Sequence, residues 1–113
     1  MQQIVDLQKD TAFQSTGIAL VNVGTDSPKD LERAALNHEI TTPLLSDQNR
    51  EMSRAFGVLQ WAMPNGEPGH TFVLVGKDGR VKWIQDYGAP QNGGLMYVPV
   101  ADLLRVVKSA LGE

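Results

Sequence analysis

Residues 71–85, TFVLVGKDGRVKWIQ, constrain the fold of this chain more than any other stretch, because two β-rich runs flank a segment built to reverse them. Thr71 to Val75 and Arg80 to Gln85 are rich in branched and aromatic side chains, which suit the pleated surface of a sheet. Between them Gly76-Lys77-Asp78-Gly79 ends in Asp-Gly, a pair that accepts the backbone conformations of a tight reversal. An antiparallel hairpin is expected here, and the rest of the chain has to pack around it.

The remaining sequence alternates helix and strand signals. Ile4, Val5 and Leu7 followed by Ala12 and Phe13 suggest one short helix that stops near Ser15-Thr16-Gly17, where glycine takes a left-handed C-terminal conformation. On this pattern Met1 lies inside a helix and has no cap before it. Ile18 to Val23, IALVNV, is a short apolar run bounded by glycines and reads as a buried strand of the parallel type. Ser27-Pro28-Lys29-Asp30 supplies a capping serine, a proline whose missing N–H does no harm in the first turn, and an acid at the third helical position, so a helix starts there. Leu31, Ala34, Ala35 and His38 share its inner face.

After Thr41-Thr42-Pro43, Leu44 and Leu45 form a short extended segment, and Asp47 caps a helix that carries Met52, Ala55 and Phe56 on one face before Gly57. Leu59 to Gly69 holds Pro64-Asn65-Gly66 and Pro68-Gly69, the density of turn residues that marks a loop. Gly88 to Gly94, GAPQNGG, is a second loop. Pro99 then opens a final helix in which Val100, Leu103, Leu104, Val107 and Leu111 recur at helical spacing. The order is helix, strand, helix, short strand and helix, hairpin, helix, which is an α/β order. With 113 residues at 42% hydrophobic the chain supports one compact domain, residues 1–113, and is too short for two.

Charge and composition narrow the function. A net charge of -3, from 13 acidic and 10 basic residues with no basic run, gives no footprint for nucleic acid. No apolar run approaches the roughly 20 residues that span a bilayer, and MQQIVDLQKD lacks the basic and apolar regions of a signal peptide. The chain is therefore expected in the cytoplasm, an upstream targeting segment aside. The count of cysteines is zero, which removes disulfides, thiolate metal sites and thiol catalysis from this polypeptide.

Three ordered motifs resemble one family. Strand Ile18 to Val23 with Asp26-Ser27, then Thr42-Pro43-Leu44-Leu45-Ser46-Asp47 with Met52 to Val58, and then Thr71 to Val75 with Lys77-Asp78-Gly79 are similar to the peroxiredoxin branch of the thioredoxin-like superfamily. The second motif resembles that family's "FPLLSD" and "ARAYGV", and the third its "TFLIDKDG". This is the branch often called the alkyl hydroperoxide reductase and thiol-specific antioxidant family, AhpC/TSA.

The resemblance implies a thioredoxin-like three-layer α/β/α domain, truncated at the N-terminus, with a C-terminal β-hairpin and helix. It implies a thiol-dependent oxidoreductase, with peroxide or disulfide reduction as the family role. The strand and helix start that carry the reactive cysteine in such families, where helix-end N–H groups stabilise a thiolate, are expected to precede residue 1. The family's arginine two residues before the threonine of "TF" is also replaced, by Gly69. Without a thiol the chain as given is expected to be redox-inert, with no catalytic residue, cofactor or metal of its own. The alternative is a non-catalytic interaction module with a thioredoxin-type groove around Trp61, Gly69, His70 and Thr71. Its expected partner is a protein or a thiol-redox protein. A folded unit without the absent strand would cover its edges by pairing Ile18 to Val23 with Thr71 to Val75, or by forming a homodimer through those edges.

Other residues have plainer readings. His70 lies beside the hairpin, near the expected redox centre, and reads as a loop histidine that lines the groove. His38 reads as a partly buried packing residue. Two distant histidines without cysteine make no metal site. Trp61, Met63, Met96 and Tyr97 offer an apolar rim for a hydroperoxide, a peptide or a partner, although such residues more often fold back onto a core. Glu67, Asp78 and Asp86 read as solvated turn acids, and GAPQNGG matches no phosphate loop.

Overall fold

The computed structural model describes residues 1–112, which divide into two compact units, Met1–Phe56 and the chain from Gly57 onward. In the first unit the elements are helix α1 (Gln2–Lys9), helix α2 (Thr11–Ser15), strand β1 (Asn22–Gly24), helix α3 (Pro28–Asn37), strand β2 (Leu44–Ser46) and helix α4 (Glu51–Ala55). The expected single N-terminal helix is thus two. Asp10 stands between them in extended backbone, and its side chain accepts from the Phe13 N–H at 2.8 Å. An aspartate that caps the next turn competes with continuation of the helix it interrupts.

Strand β1 pairs in parallel with β2, Val23 opposite Leu45. It is shorter than the apolar run that announced it, and its burial is one-sided. Asn22 is buried while Val21 and Val23 are 52% and 45% exposed. Gly24 lies against α3, where a β-carbon would come within 3.0 Å of the Leu31 side chain. The apolar composition of IALVNV suggested cover on both faces, but the face beside α3 takes an asparagine and a glycine. The Asn22 amide donates to the Thr42 hydroxyl at 2.8 Å and to the Pro43 carbonyl at 3.0 Å, so a buried polar group is satisfied. Gln8 ties α1 to the same segment. Its oxygen accepts from the Thr41 N–H at 3.0 Å, and its amide donates to the Glu39 carbonyl at 2.8 Å.

Two caps follow the sequence signals. Ser27 accepts from the Asp30 N–H at 3.2 Å at the start of α3. Asp47 is buried and governs α4 from outside the helix, accepting from the Met52 N–H at 2.9 Å, the Ser53 N–H at 2.7 Å and the Ser53 hydroxyl at 2.6 Å. Burial alone would raise its carboxyl, but the Ser53 hydroxyl, the two N–H groups and the Arg50 charge outweigh that and lower it. The inward residue of this short helix is Ser53, whereas Ala55, expected on the inner face, is exposed. The carboxylate draws Ser53 in to satisfy its own hydrogen bonding.

In the second unit a 3-10 turn (Val58–Trp61) leads to strand β3 (Thr71–Val75), strand β4 (Val81–Asp86), another 3-10 turn (Pro90–Asn92) and helix α5 (Val100–Ala110). The hairpin forms where the sequence placed it, with Thr71 opposite Asp86 and Leu74 opposite Trp83. A bulge follows, because Val75 pairs with Val81 and passes over Lys82. Gly79 adopts φ +80°, and Asp78 accepts from the Arg80 N–H at 3.0 Å. Leu103 and Leu104 of α5 are buried with Val58, Leu74, Ala89 and Val98, while Leu111, expected on the same stripe, is exposed. Each sheet has two strands, β1 with β2 and β3 with β4. Within the first unit, the strand expected from residues 18–23 finds a short parallel partner in β2.

The two caps should differ in weight. Ser27→Ala is expected to cost about 1 kcal/mol of unfolding free energy, and Asp47→Ala about 2–3 kcal/mol because two buried donors and one part-buried donor lose their acceptor. Urea titrations followed by circular dichroism test the order, which equal losses would contradict.

Candidate functional site

The site is assembled at the open end of the hairpin, in the second unit, around the carboxylate that ends β4. Asp86 is 1% exposed. Its Oδ1 accepts from the hydroxyl of Thr71, the cross-strand partner, at 2.8 Å. Its Oδ2 accepts from the Ala89 N–H at 2.8 Å and from the Asn92 amide at 2.9 Å. Burial would push this carboxyl up, but the Asn92 amide, the Ala89 N–H, the Thr71 hydroxyl and the Gly88 N–H together hold it below the ordinary carboxylate range. A buried charge persists only when its oxygens are matched in this way.

The carboxylate thereby binds the end of β4, the 90–92 turn and the start of β3 into one cluster. The ladder continues one step beyond the hairpin, where the Tyr87 N–H donates to the His70 carbonyl at 2.8 Å. Gly88 fits beside His70 only as glycine, since a β-carbon there would lie 2.5 Å from the His70 nitrogen. Gly69 is pressed in a similar way. A β-carbon on it would meet Asp86 Oδ1 at 3.3 Å and the Trp61 carbonyl at 3.4 Å.

The four residues expected from the sequence to line a groove lie near one another here. Gly69, His70 and Thr71 surround Asp86, and Trp61, at the end of the first 3-10 turn, approaches through its backbone. The half-buried His70 ring meets Phe72 edge-on at 5.0 Å, and Phe72 meets Tyr87 in the same manner at 5.8 Å. Burial lowers the His70 pKa, with Asp86 opposing part of the effect. Burial thus favours the uncharged imidazole.

Several expectations are corrected at this point. Asp86, read as a solvated turn acid, is the most buried charged group among the described residues. Its signal lay in Asp-Tyr-Gly-Ala at the end of a β-rich run, where an aspartate accepts from the N–H three residues on, as a helix cap does. Without the cross-strand register nothing marked Thr71 and Asn92 as its partners. His38 is exposed at the end of α3 and is not a packing residue, because that helix buries Leu31 on its inner face. Met63, Met96 and Tyr97 are exposed and do not fold back onto a core. Among the described residues no group of three or more His, Cys, Asp or Glu could hold a metal ion, and no helix is long and apolar enough to cross a membrane.

The family model described as "AhpC/TSA family" matches residues 1–84. The chain belongs to the AhpC/TSA family. Its fold is that of solved AhpC structures. The AhpC of Mycobacterium tuberculosis superposes with a TM-score of 0.74 at 22% identity, covering 96% of this chain and 59% of that one. The AhpC of Mycobacterium bovis gives a TM-score of 0.68 at 26% identity, covering 99% of this chain and 64% of that one. The chain therefore spans less than two thirds of the length of either AhpC. No curated protein matches its sequence. Within this peroxiredoxin-like, thioredoxin-like fold the Asp86 cluster can hold a backbone in place, but it offers no nucleophile, and all of its anionic oxygens are occupied.

The linkage sign for Asp86 follows from its lowered pKa. The stability it contributes is present above the unfolded value of about 4 and is lost as pH falls through the lower folded value. Asp86→Asn is expected to lose about 2–3 kcal/mol at pH 7, with the deficit shrinking below about pH 4. A pH-independent deficit in urea titrations would refute the charged role. By NMR, the His70 titration midpoint should fall below the ordinary value of about 6.5, and a higher midpoint would contradict the buried neutral ring.

Proposed function

We propose that this chain forms part of a peroxiredoxin-like domain for thiol-dependent reduction of peroxides or disulfides, in antioxidant defence, with the thiol supplied from outside these 113 residues. The observation that carries the proposal is AhpC/TSA membership in a sequence with no cysteine. Peroxide reduction by a thiol needs a thiolate sulfur that attacks one peroxide oxygen, displaces an alcohol or water, and becomes a sulfenic acid. None of the groups at the Asp86 cluster substitutes for that sulfur. Thr71 donates its hydroxyl proton to a carboxylate already shared by other donors, and His70 has no thiol beside it to activate.

The chain's part in this reading is to form the wall of the redox site, with Gly69, His70 and Thr71 fixed beside it. We take residues 1–113 as one thioredoxin-like domain, a reading supported by the family model's run across the boundary at residue 56. A second reading is a non-catalytic interaction module that binds a protein or thiol-redox partner through the same residues. It is favoured by the gathering of Trp61, Gly69, His70 and Thr71 at one end of the hairpin. A homodimer through strand edges is a variant of this second reading.

Peroxide assays decide between activity and inertness. With hydrogen peroxide or an alkyl hydroperoxide and a thiol reductant, the purified chain is expected to consume no peroxide above background, and robust turnover would overturn the proposal. For the second reading, a Trp61→Ala and His70→Ala double variant should lose a pulled-down partner that the unaltered chain retains. Unchanged capture would exclude that surface, and a monomer by light scattering would exclude the homodimer.

A further inference from the structure

Two asparagines in the second unit, Asn65 and Asn92, are each followed by glycine. In such a pair nothing on the glycine obstructs its backbone nitrogen from attacking the carbonyl carbon of the asparagine side chain. The nitrogen–carbon bond forms, the bond to Nδ2 breaks, and ammonia leaves with the proton from the attacking nitrogen. Water then opens the resulting succinimide to aspartate or isoaspartate, either of which adds one negative charge.

The fold uses the two asparagines in opposite ways. At Asn65 it uses the oxygen, which accepts from the Glu67 N–H at 3.0 Å in an exposed turn. An aspartate keeps that acceptor. At Asn92 it uses the amide nitrogen, which donates to Asp86 Oδ2 at 2.9 Å. An aspartate has no proton to give there at neutral pH, so two carboxylate oxygens would face one another beside a carboxylate that is itself 1% exposed. Like charges so placed cannot both remain ionised without cost.

We propose that Asn92-Gly93 is a deamidation site whose conversion releases the Asp86 cluster, and with it the 88–94 loop, from Gly69, His70 and Thr71. Asn65-Gly66 is its silent counterpart. The attacking nitrogen of Gly93 donates to the Pro90 carbonyl at 3.3 Å, just beyond the usual N–H to oxygen range. The Asp86 bond retains the Asn92 amide and slows its loss, while at Asn65 it is the attacking nitrogen of Gly66 that is held, at 2.8 Å to the Met63 carbonyl, so both sites convert under restraint. Of the two aspartate products, only that at Asn92 weakens the fold. The proposal is independent of the redox reading, because it needs water alone as co-reactant.

The test ages the purified full chain at mildly alkaline pH and follows both sites by peptide mapping for the deamidation mass increase and for isoaspartate, beside thermal melts. Conversion of Asn65 to aspartate should leave the melting midpoint unchanged, and conversion of Asn92 should lower it. Among variants, Asn65→Asp should melt with the unaltered chain at pH 7. Asn92→Asp should melt about 5–10 °C lower there, and its gap should narrow on acidification toward pH 5 as the paired carboxyls share one proton. Asn92→Ala, which loses the donor without adding a charge, should show a gap of similar size at both pH values. If Asn92→Asp does not fold at pH 7, its recovery at pH 5 is the readout. The proposal is overturned if Asn92→Asp melts with the unaltered chain at pH 7, if its gap is the same at pH 7 and pH 5, or if Asn92 stays intact after Asn65 has fully converted.

Discussion

The buried carboxylate of Asp86 is the interaction on which the organisation of the site depends. Taking an ionised group out of water costs several kcal/mol unless each oxygen finds donors, and Asp86 finds them on three separate segments: Thr71 of β3, Ala89 beyond β4, and Asn92 of the following turn. Its need for donors fixes the path of all three. The close approach of Gly88 to His70, and of Gly69 to Asp86 and Trp61, follows from the same clustering, which explains why glycines stand where a β-carbon would intrude.

Asp47 repeats the principle in the first unit. It accepts from two N–H groups and a hydroxyl at the start of α4 and is also held below the ordinary carboxylate range. Its own N–H donates to the Gly24 carbonyl at 2.7 Å and so links the helix start to the strand pair. In both units a single acid replaces what a longer sheet would supply in backbone hydrogen bonds. Asn22 and Gln8 act similarly through neutral amides. Because these clusters are polar and directional, the fold tolerates the loss of a hydrogen-bond partner there poorly.

The arrangement also separates scaffold from chemistry. AhpC/TSA membership carries a family expectation of thiol redox work, while the residues brought together here hold geometry. Burial favours the neutral form of His70, Thr71 donates to Asp86, and both carboxylate oxygens accept hydrogen bonds. A site of this kind can shape a groove and can fail when one donor is lost.

Much of this was legible in the sequence. Asp78-Gly79 between two β-rich runs determined the hairpin, Ser27-Pro28 determined the start of α3, and the motifs from Thr42 to Val58 and Thr71 to Gly79 determined the family, because local turn and cap chemistry acts over a few residues. The grouping of Trp61, Gly69, His70 and Thr71 rested instead on the family resemblance. Tertiary structure alone decided that IALVNV would be covered on one face, that Asp10 would split the first helix, and that Asp86 would be buried. Burial of a charge depends on donors that the chain brings from 15 residues before it and 6 residues after it, and only the cross-strand register and the turn that follows could place them.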